Sequence, residues 1–310
     1  MNKKNNKAAE ENDNFRCGFV TIFGRANTGK STLLNSMLGN KLSITSNKPQ
    51  TTRNKITGIL NRDDSQIIFI DTPGIGAAKG VMGNNLVRIA YGSLNSADII
   101  LVIIDALAGI TREDEKILSR TTDTGAIVYL VINKIDLIGK QNILLMIESM
   151  KKYKHIKEFI PVSAKKGTNL ERLIACVSND LPVAHRYFDD DLITDRPEEF
   201  VFSEFIREKI YRLLKQEVPY STLVEVNEIK EGKNEVLVVS ANIFVEKESQ
   251  KGIIVGKNGE MIKKIGTSAR EDIEEFTGCK VFLDLHVRVK PRWTEDIDTL
   301  HKHGYTTEEN

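Results

Sequence analysis

Residues 24–31, which read GRANTGKS, constrain the fold of this chain more than any other stretch. They match the pattern G-x-x-x-x-G-K-[ST] at every fixed position. A strand-length apolar run precedes them, and an apolar run of helical spacing follows. Because Gly24 and Gly29 allow a tight turn, successive amide N–H groups can converge on phosphate oxygens at the start of the helix. The sequence therefore predicts a phosphate-binding loop; the alternative is a glycine-bearing turn with a chance lysine and serine.

Two side chains of this loop have specific expected roles. Lys30 is expected to reach the β- and γ-phosphates of a nucleotide, which makes it a candidate catalytic residue. The Ser31 hydroxyl is expected to ligate Mg²⁺. The predicted nucleotide-binding residues of the loop are Gly24, Arg25, Ala26, Asn27, Thr28, Gly29, Lys30, Ser31 and Thr32.

Strand-length apolar runs alternate with helical patterns in the first half of the chain. The predicted strands are 18–23, 67–71, 98–105, 127–133 and 158–163. The predicted helices are 31–38, 84–93, 111–121, 141–153 and 170–181. Strands buried on both faces of a parallel sheet are apolar throughout, and alternation with helices is typical of βαβ units. We therefore expect an α/β fold with a mostly parallel sheet.

Composition sets only broad bounds. The 310 residues suffice for two domains, and a formal net charge of +1 argues neither for nor against a nucleic-acid partner. Cys17, Cys176 and Cys279 are far apart, so neither a disulfide framework nor a zinc site is indicated and a reducing cytosol is expected. Every apolar run is shorter than the roughly 18 residues of a membrane span.

The pattern changes near residue 183, where two prolines and an acid-rich stretch indicate a linker. Beyond it lie a helical stripe, two strands around a turn at 231–234, two helices and an alternating strand at 280–289. This order, α-β-β-α-α-β, predicts a second, α+β domain. The expected segments are a disordered tail at 1–14, the α/β domain at 15–182, the linker at 183–199, the second domain at 200–292 and a C-terminal tail at 293–310.

The stretch DTPG follows a predicted buried strand. The carboxylate of Asp71 can hold a water on Mg²⁺, and the N–H of Gly74 can sense whether a terminal phosphate is present. By itself DTPG is only a turn signal. Downstream of a phosphate loop, it predicts further nucleotide contacts at Asp71, Thr72, Pro73, Gly74 and Ile75.

The polar loop at 46–55, SNKPQTTRNK, lies between these two elements. A threonine in a mobile loop can complete the coordination of Mg²⁺ when a triphosphate is bound. Thr51 and Thr52 both qualify, and we favour Thr52. The expected metal ligands are therefore Ser31, Thr52 and Asp71, and the alternative is an ordinary polar loop.

The stretch VINKIDLI indicates which base is bound. The carboxylate of Asp136 can accept hydrogen bonds from N1–H and the N2 amino group of guanine, whereas adenine has no matching pair of donors. Asn133 is expected to bridge the base and the phosphate loop, and the stem of Lys134 to cover one face of the base. The predicted base-binding residues are Asn133, Lys134, Ile135, Asp136, Ser163 and Ala164.

In order and spacing, these elements resemble the translation-factor-related GTPases. The resemblance implies hydrolysis of GTP to GDP, with Mg²⁺ as cofactor. One departure is that Ile75 occupies the position of a water-orienting glutamine in the Ras-like pattern. In related GTPases with an apolar residue there, an asparagine matching Asn27 helps bind K⁺; the resemblance thus implies K⁺ and a catalytic role for Asn27. The alternative is that Asn27 only supports the loop.

The second domain carries a GXXG stretch between its two central helices, Gly256-Lys257-Asn258-Gly259. KH domains clamp single-stranded nucleotides with such a loop. The order α-β-β-α-α-β is that of a type II KH domain, whereas the stretch alone fits an ordinary turn between helices. The candidate RNA-binding residues are Gly256, Lys257, Asn258, Gly259 and Lys263.

A GTPase joined to a type II KH domain resembles the bacterial Era family. The stretches CGFVTIFGR, KLSITSNKPQTTR, REKIYRLLKQEVPYS and IIVGKNGEMIKKIG carry the resemblance. It implies a cytoplasmic, monomeric switch that binds the 3′ end of small-subunit ribosomal RNA during 30S assembly, with peripheral association with the inner membrane. Two alternatives remain: a constitutive RNA-binding protein with a structural nucleotide, and a membrane-linked or RNA-modifying GTPase sharing only the first domain.

Overall fold

The computed structural model of the chain describes residues 14–46, 48, 51–76, 80–215 and 217–306. Most of the tail predicted at 1–14 therefore lies outside the described residues. In the described part the strands are β1 (Arg16–Gly24), β2 (Ile56–Asn61), β3 (Ser65–Asp71), β4 (Ile99–Asp105), β5 (Ile127–Asn133), β6 (Ile156–Pro161), β7 (Leu223–Glu231), β8 (Leu237–Val245) and β9 (Val281–Val289). The α-helices are α1 (Lys30–Leu38), α2 (Gly80–Gly92), α3 (Arg112–Arg120), α4 (Lys140–Met150), α5 (Leu170–Asp180), α6 (Glu198–Leu213), α7 (Glu248–Val255), α8 (Glu260–Thr277) and α9 (Ile297–Lys302).

The first domain is built on a sheet of six strands in the order β2-β3-β1-β4-β5-β6. All neighbours pair in parallel except β2 and β3, so the expected mostly parallel sheet is confirmed. The antiparallel strand β2 was not predicted, because Gly58 interrupts a short edge strand that is only partly buried. A Cβ at Gly58 would lie 2.7 Å from Leu38 Cδ1 and 2.9 Å from Leu34 Cδ1, so α1 packs directly over this glycine.

The strand ends bring the predicted motifs to one edge of this sheet. The central strands β1, β3, β4 and β5 end at Gly24, Asp71, Asp105 and Asn133, respectively. In open parallel sheets, ligands bind outside the carboxyl ends of the strands. The predicted phosphate loop, the DTPG turn and the base-binding stretch therefore converge at this edge.

The second domain follows the predicted order, α6-β7-β8-α7-α8-β9. Its sheet has the order β7-β8-β9, with β7 and β8 antiparallel and β8 and β9 parallel. Along β9, exposed residues alternate with more buried ones, as the sequence pattern predicted. The apolar residues Ile265, Ala269 and Ile273 of α8 are fully buried against this sheet and α6.

Helix α6 buries charged side chains in addition to its predicted apolar stripe. Phe202, Phe205, Ile206 and Ile210 are buried as expected, whereas Leu213 is 38% exposed. Four charged residues of the same helix are also buried, namely Glu204, Arg207, Glu208 and Lys209. Polar residues buried in this way need partners, and the first domain supplies many of them. Helix α6 therefore lies at the junction of the two domains.

The segment expected as a C-terminal tail is folded, as far as the described residues extend. Residues 297–302 form α9, and Trp293, Leu300 and Tyr305 are buried together in one apolar cluster. The indole Nε1 of Trp293 donates to the carbonyl of Ser221 at 2.8 Å. A lone tryptophan in a polar stretch gave no sign of this contact in the sequence, because its partners are distant in the chain.

Across the described ranges, none of the helices is long and apolar enough to cross a lipid bilayer.

Candidate functional site

The predicted phosphate loop has the backbone geometry that its glycines permit. Gly29 adopts φ +94°, and a Cβ there would lie 2.3 Å from Asn133 Nδ2. Asn27 also has a positive φ of 65°, a conformation that asparagine tolerates better than most residues. Any side chain at Gly29 would therefore push the loop away from the base-binding strand end.

Lys30 points back into the loop. Its buried Nζ donates to the carbonyl oxygens of Gly24, at 3.2 Å, and Arg25, at 2.8 Å. Burial lowers the pKa of Lys30 to about 8. The carbonyls of Gly24 and Arg25 hold the ammonium in the loop, and a negatively charged group that entered beside it would stabilise its charged form. This corner of the first domain therefore suits a phosphate group.

Three oxygen-bearing side chains meet beside the loop. The Ser31 hydroxyl donates to Asp71 Oδ2 at 2.6 Å and lies 2.9 Å from Thr52 Oγ1. Asp71 Oδ1 is buried without a hydrogen-bond partner, and burial raises the pKa of this carboxyl. Two hydroxyls and a carboxylate with an unsatisfied buried oxygen form the donor set that Mg²⁺ prefers. These residues therefore fit the metal that the resemblance implies.

The two threonines proposed for the metal are distinguished by their contacts. Thr52 Oγ1 faces Ser31, whereas Thr51 Oγ1 donates to the carbonyl of Lys48 at 2.7 Å. Both side chains are buried. The geometry therefore favours Thr52 over Thr51.

The DTPG turn is attached to the phosphate loop through its backbone. The N–H of Ile75 donates to the carbonyl of Gly24 at 3.1 Å, and the N–H of Ala26 donates to the carbonyl of Ile75 at 3.0 Å. A Cβ at Gly74 would lie 2.6 Å from Ala26 Cα, so only glycine allows this approach. The Thr72 hydroxyl donates to the carbonyl of Ile22 at 2.8 Å, which fixes the strand end before Pro73.

Ile75 is directed towards the protein interior. It packs against the apolar cluster that includes Phe23 and Ala90. A side chain of this kind cannot orient a water molecule, in agreement with the departure seen in the sequence.

Asn133 and Lys134 connect the base-binding stretch to the phosphate loop. Asn133 Nδ2 donates to the carbonyl of Thr28 at 2.9 Å, while its Oδ1 accepts from the N–H of Ala164 at 3.0 Å. Lys134 Nζ donates to the carbonyl of Asn27 at 2.7 Å and to Asp105 Oδ2 at 2.6 Å. Ile135 begins the short 3₁₀ turn that presents the next residue.

Asp136 stands at the rim of a cavity beside this stretch. Ser163 Oγ donates to its Oδ1 at 2.6 Å, and this hydrogen bond lowers the pKa of the carboxyl. The group is therefore an ionised acceptor at neutral pH. The cavity is lined by Gly29, Thr32, Asn133, Lys134, Asp136, Leu137, Ala164 and Lys165.

Sequence reasoning missed two supporting residues, Ser43 and Asp105, and did not indicate the side-chain partner of Arg25. Ser43 Oγ donates to Asp71 Oδ2 at 2.8 Å, and nothing in its loop indicated that contact. Asp105 ends β4 at the ligand edge, and its position at a strand end could have identified it. Arg25 does not turn its side chain to the phosphate corner: its Nε pairs with Asp114 of α3 at 2.7 Å, and its carbonyl is the part that accepts from Lys30.

The GXXG stretch joins α7 to α8, as predicted. Gly256 has φ +74° and ψ 175°, a region that is essentially restricted to glycine, and a Cβ there would lie 2.7 Å from Met261 Cβ. Gly259 has φ +77° and open space around it. Lys257, Asn258 and Lys263 are exposed near the loop. The stretch and the first turns of α8 therefore present backbone and two lysines to solvent, as a phosphate track requires.

Comparison with protein families gives two matches. Residues 19–134 match the family described as 50S ribosome-binding GTPase, and residues 217–294 match the KH domain family. The GTPase Era of Geotalea uraniireducens (strain Rf4) is 48% identical over 291 residues, which cover 94% of this chain and 98% of that protein.

Two solved structures share the whole architecture. One is Era in complex with MgGDPNP and nucleotides 1506–1542 of 16S ribosomal RNA, with a TM-score of 0.90, 42% identity and coverage of 94% of this chain and 100% of that chain. The other is a variant of Aquifex aeolicus Era bound to GDP·AlF₄⁻, with a TM-score of 0.90, 41% identity and the same coverage. The chain belongs to the GTPase Era family.

Proposed function

We propose that this protein is a GTP-hydrolysing switch that binds the 3′ end of 16S ribosomal RNA through its KH domain and acts in assembly of the 30S subunit. The observation that carries the proposal is the presence of two complete sites in one chain: the phosphate corner around Lys30 and the GXXG stretch. The relative bound to both MgGDPNP and 16S RNA has the same pair of domains over 94% of this chain.

In the nucleotide site, the loop amides and Lys30 bind the phosphates, and Asp136 with Asn133 binds guanine. Ser31, Thr52 and Asp71 would hold Mg²⁺, which would neutralise charge on the phosphates. The Gly74 N–H lies next to the phosphate loop and reports the presence of the last phosphate. Because Ile75 cannot position water, the intrinsic reaction is slow, and Asn27 with K⁺ compensates for the missing glutamine.

We assign the two activities to residues 15–182 and 200–292, joined by the linker 183–199. The protein acts as a monomer in the cytoplasm, where its partners are small-subunit ribosomal RNA and the 30S particle. Peripheral association with the inner membrane is part of the same proposal and rests on the family resemblance alone.

The proposal is tested by ultraviolet crosslinking in cells, followed by sequencing of the attached RNA. Reads are expected to concentrate at the 3′ end of 16S ribosomal RNA and to vanish in the Gly256→Asp variant, whose loop cannot keep its backbone geometry. Reads spread over unrelated RNAs would contradict the assignment. If the amount of RNA captured did not depend on which nucleotide is bound, the result would instead favour a constitutive RNA-binding protein.

The contacts of the two threonines yield a matched pair of variants. Thr52→Ala should reduce Mg²⁺-dependent GTP hydrolysis by about tenfold or more, since one charge-assisted ligand contact is worth about 1.5–3 kcal/mol. Thr51→Ala removes only a hydroxyl bonded to the carbonyl of Lys48, so hydrolysis should change by less than about twofold. Phosphate release at several Mg²⁺ concentrations measures both. The reverse order of effects would show that Thr51 is the ligand.

A further inference from the structure

Arg53 directly follows the metal-binding candidate Thr52 and inserts its side chain into the KH domain. The residue is only 1% exposed. Its Nη1 donates to the carbonyl of Thr222 at 2.8 Å, and its Nη2 donates to the carbonyls of Pro219 at 3.1 Å and Tyr220 at 2.7 Å. A side chain of the first domain is therefore hydrogen-bonded to the backbone of the second.

Aromatic rings complete the pocket around this guanidinium. The rings of Tyr211, Trp293 and Tyr305 lie with their centroids 5.7–5.8 Å from Arg53 Cζ, within the range of cation–π attraction. The Tyr211 hydroxyl also accepts from Arg53 Nη2 at 3.0 Å. Burying a cation is costly unless its donors are satisfied. Nη1 and Nη2 have partners, whereas the buried Nε has none, so the cost of burying Arg53 depends on how closely the two domains fit around it.

The neighbouring peptide is held from both sides. The carbonyl of Thr51 accepts from Arg207 Nη2 at 2.6 Å, and Arg207 is a buried residue of α6 paired with Glu204. Between these two attachments to the KH domain, Thr52 Oγ1 lies 2.9 Å from Ser31. Any movement of Thr52 towards or away from a metal ion must therefore also change these contacts with the KH domain.

The segment just before this loop contacts two helices of the KH domain, α6 and α8. Lys41 pairs with Glu208 of α6 and with Asp272 of α8. Glu208 Oε1 also accepts from the N–H of Thr45 at 2.8 Å. Helix α8 begins at Glu260, immediately after Gly259. Contacts from the first domain therefore reach α6 and α8, and α8 is the helix that begins directly after the GXXG stretch.

We propose that Arg53 is a positioning residue that fixes Thr52 for the metal and transmits the state of the nucleotide site to the KH domain. The proposal rests on the proposed function and deepens it. With triphosphate and metal bound, Thr52 would be held beside Ser31, which would keep Arg53 in its pocket and fix the orientation of α6 and α8. When the last phosphate and the metal are lost, the restraint on Arg53 is released.

The test measures the affinity of a synthetic RNA with the 3′-terminal 16S sequence, with GDP and with a non-hydrolysable GTP analogue. In the unaltered protein the ratio of the two affinities is expected to be about 5–150, the usual range of coupling between sites. In Arg53→Met it should fall to about 1, while affinity for GDP, and for RNA in the GDP state, stays within about twofold. The kcat for GTP should fall with little change in KM, because Thr52 acts only with triphosphate bound.

Arg62→Met is the matched control. Arg62 is 38% exposed and contacts an exposed Glu171 at 3.2 Å, so its loss should leave the ratio unchanged. Tyr211→Phe keeps the ring and removes the hydroxyl that accepts from Arg53, so it should lower the ratio even where Arg53→Met proves unstable.

The outcomes separate this inference from the proposed function. A ratio of 1 in the unaltered protein would overturn the nucleotide-controlled switch, and this inference with it. An unaltered ratio in both Arg53→Met and Tyr211→Phe would overturn the role of Arg53 alone. A reduced ratio with an unchanged KM for GTP supports it.

Discussion

Asp136→Asn is expected to change the nucleotide preference of this protein from guanine to xanthine. In the proposed base contact, the carboxylate of Asp136 accepts from N1–H and the N2 amino group of guanine, and an amide at this position retains only one acceptor. It gains a donor that suits the O2 of xanthine. Since hydrogen bonds to charged groups are worth about 1.5–3 kcal/mol each, GTP affinity should fall by at least about 100-fold and that for XTP should rise.

The contacts of Asp136 indicate that the substitution can be made without disturbing the fold. Its side chain is exposed at the cavity rim, and its hydrogen bond from Ser163 Oγ can also be made to an amide oxygen. Equilibrium binding of fluorescent GDP and XDP measures the change. Asp123→Asn, at an exposed position, serves as the control. If Asp136→Asn kept the preference for guanine, the base would have to be recognised by other residues.

Gly259→Asp is expected to weaken RNA binding by about tenfold or more, because a carboxylate placed against a phosphate is repelled. The site is suited to the experiment, since a Cβ at Gly259 meets nothing within 4 Å. Its φ of +77° is unfavourable for side chains, but aspartate and asparagine tolerate it best. The fold should therefore survive.

Gly259→Asn separates charge from shape at this position. The two side chains are nearly isosteric, so Gly259→Asn should bind RNA much more tightly than Gly259→Asp, and the difference should shrink at high salt. GTP hydrolysis in the absence of RNA should be unchanged in both. Equal RNA affinities for the two variants across salt concentrations would remove the GXXG stretch from the RNA contact.

Residues fixed by local chemistry were identifiable from the sequence. The glycines, lysine and serine of the phosphate loop follow a spacing that reflects the size of a phosphate, so Gly29, Lys30 and Ser31 appear where expected. The order of strands and helices followed from apolar periodicity, and it places Asp71 and Asn133 at strand ends on one edge of the sheet. These features depend on residues close together in the chain.

Features that depend on distant residues were not identifiable. The residues next to Ser43 in the sequence do not indicate its hydrogen bond to Asp71. Those next to Arg53 do not indicate that its partners lie beyond residue 210. The burial of Trp293 likewise depends on where the first domain rests against the second. The sequence therefore predicted each site separately, and the contacts between the domains appear only in the structure.

The measurement that bears most directly on the account is the affinity of the 3′-terminal 16S RNA for the protein bound to GDP and to a non-hydrolysable GTP analogue. Binding of RNA is expected to be about 5–150-fold tighter with the analogue, and RNA is expected to tighten binding of the analogue by the same factor, as linkage requires. Equal RNA affinities with the two nucleotides would contradict it.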